Sequence, residues 1–151
     1  MSANPLRLVG AIAVVAMALS AAARAAAPAG HYTFPATGTV FDTKTKLTWQ
    51  RTAPATTYAW ADAKTYCAGV GASLGGTGWR LPTIKELMTI IDETQVAPPI
   101  DSTAFPGTPV FAFWSSTLTS DSSQAWTLDF SNTGNTGGDV LTATYNVRCV
   151  H

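Results

Sequence analysis

Apolar and polar positions follow different rhythms along the chain, and each rhythm predicts an element. In TVFDTKTKLTWQR (39–51), Val40-Phe41 and Leu47-Thr48-Trp49 are strand-like groups on either side of the polar stretch DTKTK, the layout of a hairpin. Pro54 breaks that pattern. TTYAWADAKTYCAGVG (56–71) then sets Trp60, Ala63 and Cys67 at helical spacing, with Ala59 and Tyr66 beside them. Thr56 or Thr57 is the expected cap, and Gly69 and Gly71 the stop. A second helix is marked within GWRLPTIKELMTIID (78–92). Thr83 and Glu86 form a T-x-x-E capping box, and Ile84, Leu87, Met88 and Ile91 follow at i, i+3, i+4 and i+7 as one apolar face. The prolines of QVAPPID stop it. Beyond them, 110–117 (VFAFWSST), 125–130 (AWTLDF) and 144–150 (TYNVRCV) read as strands, the last with Tyr145, Val147 and Cys149 on one face. SNTGNTGGD (131–139) is rich in turn formers and reads as a loop.

The N-terminal segment has a different character. Arg7, an apolar run and Ala23-Arg24-Ala25 have the layout of a secretory signal over residues 1–25, cleaved after Ala25. No second apolar run follows, so no membrane span is expected after cleavage. Residues 26–38 read as a flexible lead-in and 39–151 as a single domain. After cleavage seven Lys and Arg face nine Asp and Glu, a net charge of −2, with no basic block. Nucleic acid is therefore not an expected partner, because phosphate binding needs clustered cations. Two cysteines in an exported chain point to one disulfide, Cys67–Cys149; the alternative is two free thiols, one of them nucleophilic.

Catalytic constellations are sparse. His31 lies in the lead-in and His151 ends the chain, and there is no G-x-S-x-G, HExxH or CxxC. Glu86 reads as the helix cap, and Arg80 as a structural arginine whose stem packs between Trp79 and Leu81 while its head pairs inside the fold. Asp121 and Asp129 are the acids to test for a carboxylate-pair enzyme. No cofactor is expected. Calcium is the weaker option, on the oxygen-rich set Asp129, Asn132, Asn135 and Asp139, whose spacing does not match an EF-hand. The remaining polar positions of the C-terminal third, among them Ser116, Thr117, Asp121, Asn132, Asn135 and Asp139, supply adaptable hydrogen bonding without strong charge. That composition suits recognition of a polar ligand. Trp79, Trp114 and Trp126 read as core.

The ordered series TVFDTKTKLTWQR, WADAKTYC, GWRLPTIKELMTIID, IDSTAFPGTP, FWSST, AWTLDF and YNVRCV resembles the Lcl C-terminal-domain family over residues 39–150. The resemblance implies an α+β, C-type-lectin-like fold: two helices flanking antiparallel strands, paired chain ends and a long irregular loop region. It makes Cys67–Cys149 the bridge from helix to terminal strand. It also makes Trp79, Arg80, Pro82 and Thr83 a fold corner, similar to one in formylglycine-generating enzymes. Those enzymes use reactive cysteines, which this chain commits to its bridge. Characterised family members are bacterial surface or secreted adhesion proteins, and the founding one binds sulfated glycosaminoglycans. Here there is no collagen-like stalk and no cationic patch. The resemblance thus implies an exported, periplasmic or cell-surface binding domain for an envelope or extracellular glycan or protein. An enzyme acting on an envelope polymer and a scaffold docking another envelope protein are the alternatives.

Overall fold

The computed structural model describes residue 28 and residues 30–151; the expected signal lies outside the described residues. Two antiparallel three-stranded sheets and three short helices make an α+β fold. The first sheet runs β1 (Tyr32–Thr33), β2 (Thr39–Asp42), β3 (Thr48–Gln50). Its hairpin closes as the pattern predicts. Asp42, fully buried at the turn, accepts from the backbone N–H groups of Lys44 (2.8 Å) and Thr45 (3.3 Å) and from the Thr45 hydroxyl (2.8 Å). The lead-in is tied down in part, since β1 pairs with β2 and His31 Nε2 meets the Asp42 carboxylate at 3.1 Å.

Helix α1 (Trp60–Gly69) begins later than its threonines suggested. Ala59 is the N-cap and no side chain caps the start, because the preceding Tyr58 is held extended, exchanging backbone hydrogen bonds with Tyr145. After the one-turn α2 (Gly71–Leu74) comes α3 (Ile84–Met88), with the complete Thr83–Glu86 capping box. The expected apolar face needs one correction. Helix α3 ends at Met88, which is half exposed, and the tightened turn after it rotates Ile90 inward to 1% exposure.

The second sheet is β4 (Ala112–Leu118), β5 (Gln124–Asp129), β6 (Asn135–Val140). Strand β6 overturns the reading of 131–139 as a loop. Its six residues pair in unbroken register with β5, from Asn135↔Asp129 to Val140↔Gln124. An edge strand needs only one partner's backbone, so residues of poor strand propensity can serve. The turn into it requires Gly134, which has φ +83° and whose absent Cβ would lie 2.6 Å from Ile91 Cδ1.

Strands β4 and β5 separate two cores. Phe113 and Leu128 face one, with Val40, Trp49, Leu87, Ile90, Phe105 and Phe130; Trp114 and Ala125 face the other, with Ala63, Cys67, Trp79, Leu81 and Val147. The final segment ties everything together through isolated bridges rather than a regular strand. Asn146 bridges Phe113 in parallel, and Val150 bridges both Trp49 and Arg80. Cys67 and Cys149 form the disulfide. The buried arginine is not Arg80, which is exposed, but Arg148. Arg148 is wholly enclosed, with its guanidinium 4.8 Å from the Phe105 ring centre and 5.8 Å from that of Phe113. It donates to the Gln50 and Arg51 carbonyls and the Thr108 hydroxyl at 2.8, 2.5 and 2.8 Å. Desolvation pushes its pKa down to about 9, so it remains charged at neutral pH.

Candidate functional site

The 79–86 corner is built for stability. Arg80 Nη1 and Nη2 donate to the two Glu86 oxygens at 2.8 and 2.6 Å, a bidentate pair. Glu86 also accepts from the Thr83 N–H at 2.8 Å. These bonds, Arg80 foremost, hold the Glu86 carboxyl down to about 2. A carboxylate so fully engaged is no general acid at neutral pH. Trp79 is buried against His151, and Pro82 accepts a backbone hydrogen bond from Ser116 at 2.7 Å.

The C-terminal candidates do not form one cluster. Thr117 is structural, its hydroxyl accepting from the Ile84 N–H at 3.0 Å at the start of α3. Ser116 faces a groove beside Trp79. Asp121 sits in the β4–β5 turn and is bound by the Thr119 hydroxyl (2.7 Å) and the Ser123 hydroxyl (2.8 Å), which hold its pKa near 2. Asn132 is exposed in the β5–β6 turn. Asn135 and Asp139 stand on β6.

What the structure does bring together is one face of the β5–β6 ladder. Alternation puts Asp129, Thr127 and Ala125 on that face of β5, the last two buried towards the second core, opposite Asn135, Gly137 and Asp139 on β6, where Asn135 and Gly137 are exposed. Tyr145 reaches across to donate its hydroxyl to Asp139, which raises the tyrosine's pKa. The Tyr145 ring packs on Trp114 and lies 6.0 Å from exposed Phe111. Tyr145 shares a strand face with Val147 and Cys149, as the alternation predicts, and packs against their core while its hydroxyl meets Asp139. Gly137 was invisible as a site residue because it has no side chain.

The oxygen-rich set considered for calcium is divided by this ladder. Asp129 and Asn135 pair at one end, while Asp139 pairs with Ala125 at the other. Four residues at ~3.3 Å each separate the two carboxylates' strand positions by on the order of 13 Å. Asp129 is turned outward to the Ser131 N–H (2.7 Å), and Asp139 to Tyr145 and the Val140 N–H. Each carboxylate is thus engaged by its own neighbours at opposite ends of the ladder. Among the described residues no group of three or more His, Cys, Asp or Glu is placed to hold a metal ion.

Electrostatically the sheet is one-sided. Between Lys85 and Arg148 the sequence has no Lys or Arg, yet it carries Glu86, Asp92, Glu93, Asp101, Asp121, Asp129 and Asp139.

The family model of the Lcl C-terminal domain matches residues 38–151, three quarters of the chain. The chain belongs to the Lcl C-terminal domain family. The match spans every strand but β1, both cysteines and all of β6, so the candidate surface of this Lcl C-terminal domain lies within the matched region. No curated protein matches the chain. Among the described residues no helix is long and apolar enough to cross a membrane.

Proposed function

We propose that this Lcl C-terminal domain is an exported, non-enzymatic binding module of C-type-lectin-like fold. It takes a glycan or protein ligand on the exposed edge strand β6, in the periplasm or at the cell surface. The fold reading is supported by the C-terminal segment. Its His151 exchanges backbone hydrogen bonds with Thr48 of the N-terminal hairpin, and its Cys149 is bridged to α1. Export is supported by that disulfide. The observation that carries the binding reading is β6 itself: five of its six residues are exposed, among them Gly137 and Gly138, which have no side chain to keep a ligand at a distance. A ligand can approach such a surface closely and hydrogen-bond it, with Asn135 adding both a donor and an acceptor. The absence of cations on this sheet favours a neutral or positively charged ligand over a sulfated polymer, and the divided oxygen set favours binding without a metal.

The test is a glycan array on the disulfide-bonded protein, with calcium and with chelator, followed by capture of partners from native envelope. Asn135→Ala/Thr136→Ala removes two exposed polar side chains from β6. It is expected to abolish the captured interaction while leaving the melting temperature unchanged. Binding that survives this substitution, or that vanishes with chelator, would sink the assignment to this face or its metal-free character respectively.

A further inference from the structure

A groove on different residues is independent of the reading of β6. Between α1, the 79–82 corner and β4 runs a groove of about 270 Å³ lined by Lys64, Ala68, Trp79, Arg80, Leu81 and Ser116. Helix α1 makes one wall, because Trp60, Lys64 and Ala68 recur every four residues and share a helix face. Trp79 and Leu81, almost fully buried, make the apolar floor. The walls are fixed in place: Trp60 Nε1 donates to the Ser115 carbonyl at 2.8 Å, Ser116 N to Pro82 at 2.7 Å, and Trp79 Nε1 to Gly75 at 2.7 Å.

Two cations border the groove, and they differ. Arg80 is neutralised by Glu86. Lys64 makes no ion pair among the described residues; its ammonium rests 4.4 Å from the Trp60 ring centre. No acid lines the groove. A fitting ligand therefore combines an apolar body with one negative charge. The volume falls below the ~300–1,000 Å³ of sites for drug-sized molecules, so it suits about one side chain. A sugar would find too few polar partners on this floor, and a bare inorganic anion would leave the floor uncovered.

We infer that the groove binds the carboxy-terminal residue of a polypeptide, its apolar side chain against Trp79 and Leu81 and its α-carboxylate on Lys64. The probe is N-acetyl-glycyl-phenylalanine as the free acid, compared with its C-terminal amide. Both are titrated into the ¹⁵N-labelled, disulfide-bonded protein by NMR. The acid is expected to shift the backbone amides of Ala68, Leu81 and Ser116 and the Trp79 indole, and to bind about fivefold more tightly than the amide, the scale of one partly exposed ion pair. Lys64→Met keeps the stem and removes the charge, and is expected to erase the preference for acid. Ala68→Leu fills the mouth with a good helix former, and is expected to abolish the shifts without lowering the melting temperature. Equal binding of acid and amide, no shift at these residues up to low-millimolar probe, or undiminished binding to Ala68→Leu would each overturn the inference.

Discussion

Glu86→Gln separates the two tasks that Glu86 performs. Glutamine can keep the capping box, since its amide oxygen accepts from the Thr83 N–H as the carboxylate does. It cannot keep the charge-assisted fork to Arg80. Holding the Glu86 carboxyl near 2 instead of its ordinary 4.5 corresponds to at most about 3 kcal/mol. The Arg80 side chain is 47% exposed, so solvent screening reduces this to roughly 1–2 kcal/mol. The sign fixes the pH window. The folded-state pKa is depressed, so the contribution is present above the unfolded value of about 4.5 and is lost as pH falls through it towards 2. Urea unfolding at pH 7 should show Glu86→Gln less stable than the parent by that amount, and thermal unfolding a melting temperature lower by about 2–8 °C. By pH 2 the two proteins should converge. A variant as stable as the parent at pH 7, or a gap that persists undiminished at pH 2, would refute the reasoning. Either result would mean that capping, not the ion pair, stabilises the corner.

Two further perturbations probe how the final segment is anchored. Replacing both Cys67 and Cys149 with serine opens a loop of sequence separation 82 and is expected to cost about 4–5 kcal/mol by chain entropy, read as a lower urea midpoint. Arg148→Met strips the hydrogen-bond donor from three buried or half-buried acceptors at ~1–3 kcal/mol each, partly offset by release of the guanidinium's desolvation cost. The expected net loss is about 2–4 kcal/mol, and Arg148→Lys should recover little of it, because one ammonium lacks the planar fork that reaches all three acceptors. Stability equal to the parent in Arg148→Met would show that burying the charge costs as much as its bonds return.

The elements legible in the sequence are those fixed by neighbours. The 39–51 hairpin follows from a polar turn between two apolar groups, and α3 from a cap three residues before its partner. The disulfide follows from having only two cysteines to join. Strand β6 was not legible, because its pairing is written in the backbone of β5 and both its faces meet solvent; without a buried face there is no period of two to read. The two arginines are more instructive. Arg80 and Arg148 both sit between apolar residues, and only the wider pattern tells them apart. With Tyr145, Val147 and Cys149 facing one core, Arg148 and Val150 must face the other way. A strand between two cores is buried on both sides. The signal for a buried Arg148 was therefore present in the same alternation that assigned its neighbours inward.

For the candidate site the difficulty lies in composition itself. Ser, Thr, Asn and Asp are the residues of recognition loops, but they are also the residues that satisfy turns. Three of the six singled out here are bound by their own surroundings. Thr117 supports the start of α3, the Asp121 carboxylate is held by Thr119 and Ser123, and Asp139 is held by Tyr145. A polar side chain whose bonds are already made has little left to offer a ligand. The residues the fold exposes along β6 are Asn135, Thr136, Gly137 and Gly138, and of these the Gly137 carbonyl already accepts from the Thr127 hydroxyl at 3.2 Å. Exposure of that kind depends on which strand lies at the edge of the sheet, a property of the topology that no local stretch of this sequence carries.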